Sequence, residues 1–163
     1  MSCRCKSPEF WKGPTSAVFS DLLTLDYYDG PTTALCKCVV CGSAKLLSII
    51  SWEPSISPIR VFGVAGITSQ QFDRIRDQLK VQEHMVAAGR SDHDSDYVNA
   101  LSGLLREAPS PQVALASDSL AQKIIAARQI TEEGVTFEDP VERVSGDDLS
   151  KWLSYLGIAE VER

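Results

Sequence analysis

No cysteine follows residue 41 in this 163-residue chain, and no apolar run approaches the roughly 20 residues that a membrane-crossing helix needs. The second absence removes a helical membrane protein from consideration. No run of Lys and Arg is present, so the clustered cations that grip phosphate backbones are missing and nucleic-acid binding is not expected. The G-x-x-x-x-G-K phosphate loop is absent, and Gly63-x-x-Gly66 lacks the spacing of a dinucleotide loop. A G-x-S-x-G nucleophile elbow is also absent. These gaps count against the common nucleotide-dependent enzymes and hydrolases. No apolar stretch follows Met1-Ser2-Cys3-Arg4-Cys5-Lys6, so the expectation is a cytoplasmic protein without a secretory leader. Internal repeats and low-complexity tracts are missing as well.

What remains is an ordinary globular composition, 44% apolar and 23% charged. The length suits one domain with a real hydrophobic core, spanning residues 1–163. Charge divides it unevenly: residues 1–66 carry a net +1 and residues 67–163 a net −7. An acidic surface suits a basic protein partner, and it also serves plain solubility.

Two patterns meet near Gly66. Before it, β-branched and aromatic residues alternate between turn signals. Strands are expected over Ala17 to Tyr28, Thr32 to Cys38, Lys45 to Trp52 and Ile59 to Val64. The third is apolar on both faces and therefore central. Short connections make this an antiparallel meander. After Gly66, Thr68-x-x-Gln71 has the form of a capping box, and Phe72, Ile75 and Leu79 mark one helix face running to Ala88, with Gly89 as the stop. Tyr97, Leu101, Leu104 and Leu105 mark a second helix. Val113 to Ala116 reads as a short strand. Leu120, Ile124 and Ala127 give Ser117 to Gln129 a helical period. Val135 to Phe137 reads as a small strand. A last helix buries Leu149, Trp152, Leu153 and Leu156, with Ser145 as cap and Gly157 as stop. The fold class is α+β: a small antiparallel meander over about residues 15–66, covered by C-terminal helices.

All five cysteines fall in two clusters, Cys3-x-Cys5 and Cys36-x-Cys38-x-x-Cys41-Gly42. Cytoplasmic thiols stay reduced and the count is odd, which argues against a disulfide framework. Cys38-x-x-Cys41-Gly42 at a strand-to-strand turn has the form of a zinc knuckle, in which glycine relieves the backbone where it folds around the metal. Cys3 and Cys5 are the expected completing ligands. Cys36, or His84 or His93 from a packed helix, are the substitutes. A competing use is simple burial, since small cysteines on a strand face serve as apolar filler. Thioredoxin-type redox chemistry needs a helix after C-x-x-C to lower the thiol pKa, and the residues that follow here read as a strand.

Other constellations are weaker. Asp92-x-Asp94-x-Asp96 lacks the glycine and the twelfth-position carboxylate of a calcium loop. Asp92 and Asp94 flank His93, but sequence neighbours on a helix do not face one another. Tyr27, Tyr28 and Asp29 form a turn patch that could serve a protein partner and could share one end of the sheet with the cysteines. The leading expectation is a non-catalytic binding or regulatory protein braced by zinc, with a protein partner and neither nucleic acid nor membrane. A thiol- or metal-dependent enzyme using the same cysteines is the alternative. An acidic inhibitor of a basic partner is the third reading.

Overall fold

The computed structural model describes residues 3, 5, 8–11, 13–14, 18–27, 31–53, 57–88, 95–119, 123–130 and 146–158. After a single 3₁₀ turn at Pro8–Trp11 come strands β1 (Gly13–Pro14), β2 (Phe19–Tyr27), β3 (Pro31–Cys38), β4 (Ala44–Trp52) and β5 (Arg60–Gly66). Helices α1 (Ser69–Ala87) and α2 (Ser95–Glu107) follow, then β6 (Val113–Ser119), β7 (Lys123–Gln129) and helix α3 (Gly146–Tyr155). The meander of four strands is present as expected. It is extended by the β6–β7 hairpin and by two residues of β1, giving one antiparallel sheet in the order β1-β7-β6-β5-β4-β3-β2.

That order forces the sheet to curl. β1 and β2 sit at opposite ends of it, yet Pro14 and Phe19 are close neighbours in sequence. Such a link spans at most about 18 Å. The first and last strands of a flat seven-stranded sheet would lie about 29 Å apart. The sheet therefore rolls toward a half-closed barrel with a distinct inner and outer face. Phe19, Ala34, Cys36, Cys38, Leu47, Phe62, Val64, Leu115 and Ile124 form a buried inner core. Trp11, 1% exposed, plugs that core from the N-terminal arm.

Helices cover the outer face. Phe72, Ile75, Tyr97 and Leu104 of α1 and α2 pack on Leu25, Leu35, Ala44 and Leu46. Leu149, Trp152 and Leu153 of α3 pack on Ile50, Val61 and Ala114. With both faces covered, β4 and β5 carry apolar residues on both faces instead of alternating cleanly. Local signals in the sequence are realised as bonds. Gln71 N–H donates to Thr68 Oγ1 at 3.0 Å, and Thr68 N–H donates to Gln71 Oε1 at 2.8 Å, completing the capping box. Gly157 takes a positive φ of 74° beyond α3, and Ile158 N–H reaches Leu153 O at 2.9 Å, a Schellman stop.

Two expectations are corrected. The stretch Ser117 to Gln129 is not a helix, because it supplies the end of β6 and all of β7. The deceptive spacing has a physical cause. Ala116 opposes Ala126 while Ser117 opposes Ile124, so Ile125 is an extra residue in the ladder. This bulge places Ile124 and Ala127, three apart, in the same inner core, imitating a helical period. Nor does Tyr27 share an end of the sheet with the cysteine turn. Tyr27 lies opposite Pro31, whereas Cys38 lies opposite Phe19. The full length of β3 separates them, about 23 Å. Tyr28, Asp29, Gly89, His93, Leu120, Val135 to Phe137 and Ser145 lie outside the described residues.

Close packing on β5 generates a prediction. A Cβ added at Gly63 would meet Pro111 Cβ and Cγ at 2.7 Å, whereas one added at Gly66 meets nothing within 4 Å. Gly63→Ala is expected to cost about 1–3 kcal/mol through overpacking, and Gly66→Ala to be close to neutral. Denaturant unfolding of both variants checks this, and equal midpoints would contradict the packing described for Pro111.

Candidate metal centre

The β3–β4 turn is built to hold sulfur. Cys38 ends β3, and the next four residues fold back tightly: Gly42 N–H donates to Cys38 O at 2.8 Å and Cys38 N–H to Ser43 O at 2.9 Å. Gly42 takes φ +69°, a conformation that L side chains resist. Inside this turn the backbone N–H groups of Val40 and Cys41 donate to the Cys38 sulfur. The N–H of Ser43 faces the Cys41 sulfur, and Ser43 Oγ lies 3.1 Å from it. Such donors stabilise thiolates, which are the metal-binding form.

The N-terminal arm completes the group. Trp11 donates its indole N–H to Cys5 O at 2.9 Å, and its ring lies 5.2 Å from that of Phe19, so the arm is anchored in the inner core. This brings Cys3 and Cys5 onto the knuckle. The sulfurs of Cys3, Cys5, Cys38 and Cys41 all lie within 4.8 Å of one another and could hold a metal ion. The pairs interleave: Cys3 Sγ is 3.9 Å from Cys38 Sγ, and Cys5 Sγ is 3.7 Å from Cys41 Sγ. A tetrahedron with metal–sulfur bonds of about 2.3 Å has edges of about 3.8 Å. Interleaving also absorbs the short C-x-C spacing, because each arm thiol lies against a different member of the knuckle pair.

Environment sorts the thiols. Burial, reinforced by the neighbouring thiols, pushes Cys5 up to about 12 from its ordinary 9.0. Burial also raises Cys38, against the opposing pull of its two N–H donors. Cys41 is exposed, and the hydroxyl and N–H of Ser43 hold it down at about 6. At neutral pH Cys41 is thus already ionised, while Cys5 and Cys38 would have to give up their protons to solvent as a cation binds.

Of the substitute ligands, Cys36 and His84 stay apart from this group. Cys36 is buried in the inner core, where burial raises its thiol, and it is not among the four. It takes the filler role that competed with ligation. His84 lies on the last turn of α1, outside the cluster. Ser43 and Trp11 were not legible as contributors. For Ser43 the signal lay in its place directly after Cys-Gly, and for Trp11 in an aromatic pair, Phe10-Trp11, close behind the first cysteines.

In the metal-free, reduced protein, Cys41 is expected to alkylate first, with a rate that rises through pH 6 and levels off by neutrality. Its folded pKa is depressed, so ionisation persists down to about 6 and is lost below it. Ser43→Ala should move that midpoint upward, toward 9. A pH series of iodoacetamide labelling read by peptide mass spectrometry checks this, and an unmoved midpoint would remove Ser43 from the account. No protein-family model, no curated protein and no solved structure matches the chain.

Proposed function

We propose that the protein is a non-catalytic binding or regulatory module in which one zinc ion on Cys3, Cys5, Cys38 and Cys41 clamps the N-terminal arm across the mouth of the curled sheet. The observation that carries this reading is the mutual spacing of the four sulfurs, near the edge length of a zinc–thiolate tetrahedron. Four sulfurs so close enclose a single ion. An all-thiolate set leaves no open coordination position, the mark of structural zinc as opposed to catalytic zinc. Reduced cysteines fit a cytoplasmic setting, and the whole chain is read as one domain around the clamp.

Charge supports a protein partner more narrowly than the sequence halves suggested. α1 carries three Asp/Glu against three Lys/Arg, so it is balanced. The acidic excess sits in residues 132–148, with seven Asp/Glu and one Arg. In this reading that stretch supplies the attraction for a basic partner. A reactive thiol on Cys41 supports the alternative, thiol chemistry at the same cluster, because it is the exposed member of the four.

Elemental analysis of protein purified under reducing conditions is expected to give one zinc per chain. Cys38→Ser should lose it, and Cys36→Ala should keep it. Zinc held at a thousandfold excess over its Kd stabilises by about 4 kcal/mol, which for a chain of this size is roughly 8–16 °C in Tm. Cys38→Ser should lose an increment of that size. Unchanged metal content and Tm in Cys38→Ser would sink the clamp.

A further inference from the structure

We infer that the cleft beside the cysteine cluster binds a small neutral molecule with an amide-type hydrogen-bonding edge, of the class of a free nucleobase or a lactam. The inference rests on the zinc reading in one respect, the charge of the cleft wall.

The cleft encloses about 360 Å³, within the range of small-molecule sites. It opens at the end of the sheet where β3 turns into β4, β5 and β7 end, and β6 begins. Trp11, Val64 and Val113 give it an apolar lining, and Lys45, Gln112 and Gln129 supply polar groups. Lys45 pairs with Cys36 on one neighbouring strand and Gly66 on the other, so it belongs to the inner face. Gly66 leaves the space beside Lys45 open, since a Cβ there would meet nothing within 4 Å.

The ligand class follows from what these groups can do. An ammonium only donates, whereas each carboxamide donates and accepts. No Asp or Glu is among the described residues that line the cleft. Cys3, Cys5 and Cys41 also line the cleft, so with zinc bound one wall is a thiolate centre of formal charge about −2. Among the described lining residues Lys45 is the one cation, and it offsets only part of that charge. A carboxylate or phosphate would meet a net negative wall, and a cation, though drawn by that wall, would find the Lys45 ammonium beside it and no carboxylate among the described lining residues to receive it. A neutral edge with an acceptor for Lys45 and a donor–acceptor pair for the glutamines meets neither penalty. Its ring would lie on Val64 and Val113.

The test is an NMR titration of the zinc-loaded full chain with uracil, and with benzoate as an anion of similar size. The Trp11 indole N–H, bonded to Cys5 O in the cleft wall, is the reporter. Uracil should shift this resonance and the Val64 and Val113 amides saturably, with benzoate at least tenfold weaker. Gly66→Phe, which fills the opening, should abolish the uracil shifts while keeping zinc content and spectral dispersion. Absence of a saturable uracil shift, benzoate binding as tightly, or uracil binding that survives in a folded Gly66→Phe would each overturn the inference. Zinc content, measured on the same sample first, separates the failures. Zinc without uracil binding ends the ligand site and leaves the clamp, whereas no zinc ends the clamp before any titration.

Discussion

Four sulfurs held within 4.8 Å of one another cannot all be thiolates unless a cation stands among them. Two unit charges about 4 Å apart repel by about 4 kcal/mol even at an effective dielectric constant near 20. Four such charges would form six repelling pairs, a cost comparable to the whole stability of a small protein. The metal-free group therefore keeps most of its protons. Cys41, which is exposed and faced by the hydroxyl and N–H of Ser43, ionises more readily than Cys5 and Cys38. The N–H groups aimed at Cys38 and the Ser43 groups aimed at Cys41 are costly to organise for neutral thiols, which accept hydrogen bonds weakly. They are well spent on thiolates around a metal.

The same constraint explains the N-terminal arm. α1, α2 and α3 all pack on the outer face of the sheet, so none of these described helices closes the inner one. That duty falls to Trp11, with two residues of β1 laddered to β7. So short a ladder holds weakly alone, and residues near a chain terminus fray unless tied down. Joining Cys3 and Cys5 to the knuckle closes a loop of more than thirty residues, and in the proposed reading the metal bond would offset the entropy of that closure. Plug and proposed clamp would thus depend on each other: Trp11 holds Cys5 through its carbonyl, and a metal on the four cysteines would hold Trp11 in the core.

Local features were legible in the sequence because they are local. The capping box at Thr68 and Gln71, the glycine stop at Gly157 and the turn at Cys38-x-x-Cys41-Gly42 each depend on a few neighbouring residues, and each stands where the pattern put it. β4 was readable as central because burial on both faces writes itself into the composition. The misreadings have a different origin. Ile124 and Ala127 share a face through a bulge that no spacing rule announces. The pairing of Gly13 and Pro14 with β7 joins residues more than a hundred positions apart, and two residues carry no period. Cys3 and Cys5 were named ahead of Cys36 as partners of the knuckle, but the path of the arm that brings their sulfurs to it was not legible, because Trp11 fixes that path through tertiary packing.

An all-thiolate centre also shifts where chemistry can happen. With every donor engaged, a bound zinc ion in the proposed reading has no position for water or substrate, so its work is mechanical. Recognition must then come from surfaces that the clamp positions. The cleft is one of these, since the arm, the knuckle and the ends of β5 and β7 form its walls together. Releasing the arm would remove Cys3, Cys5 and Trp11 from those walls at once. In the proposed reading the clamp and the cleft are therefore one construction, and a ligand of the cleft would read whether the arm is fastened.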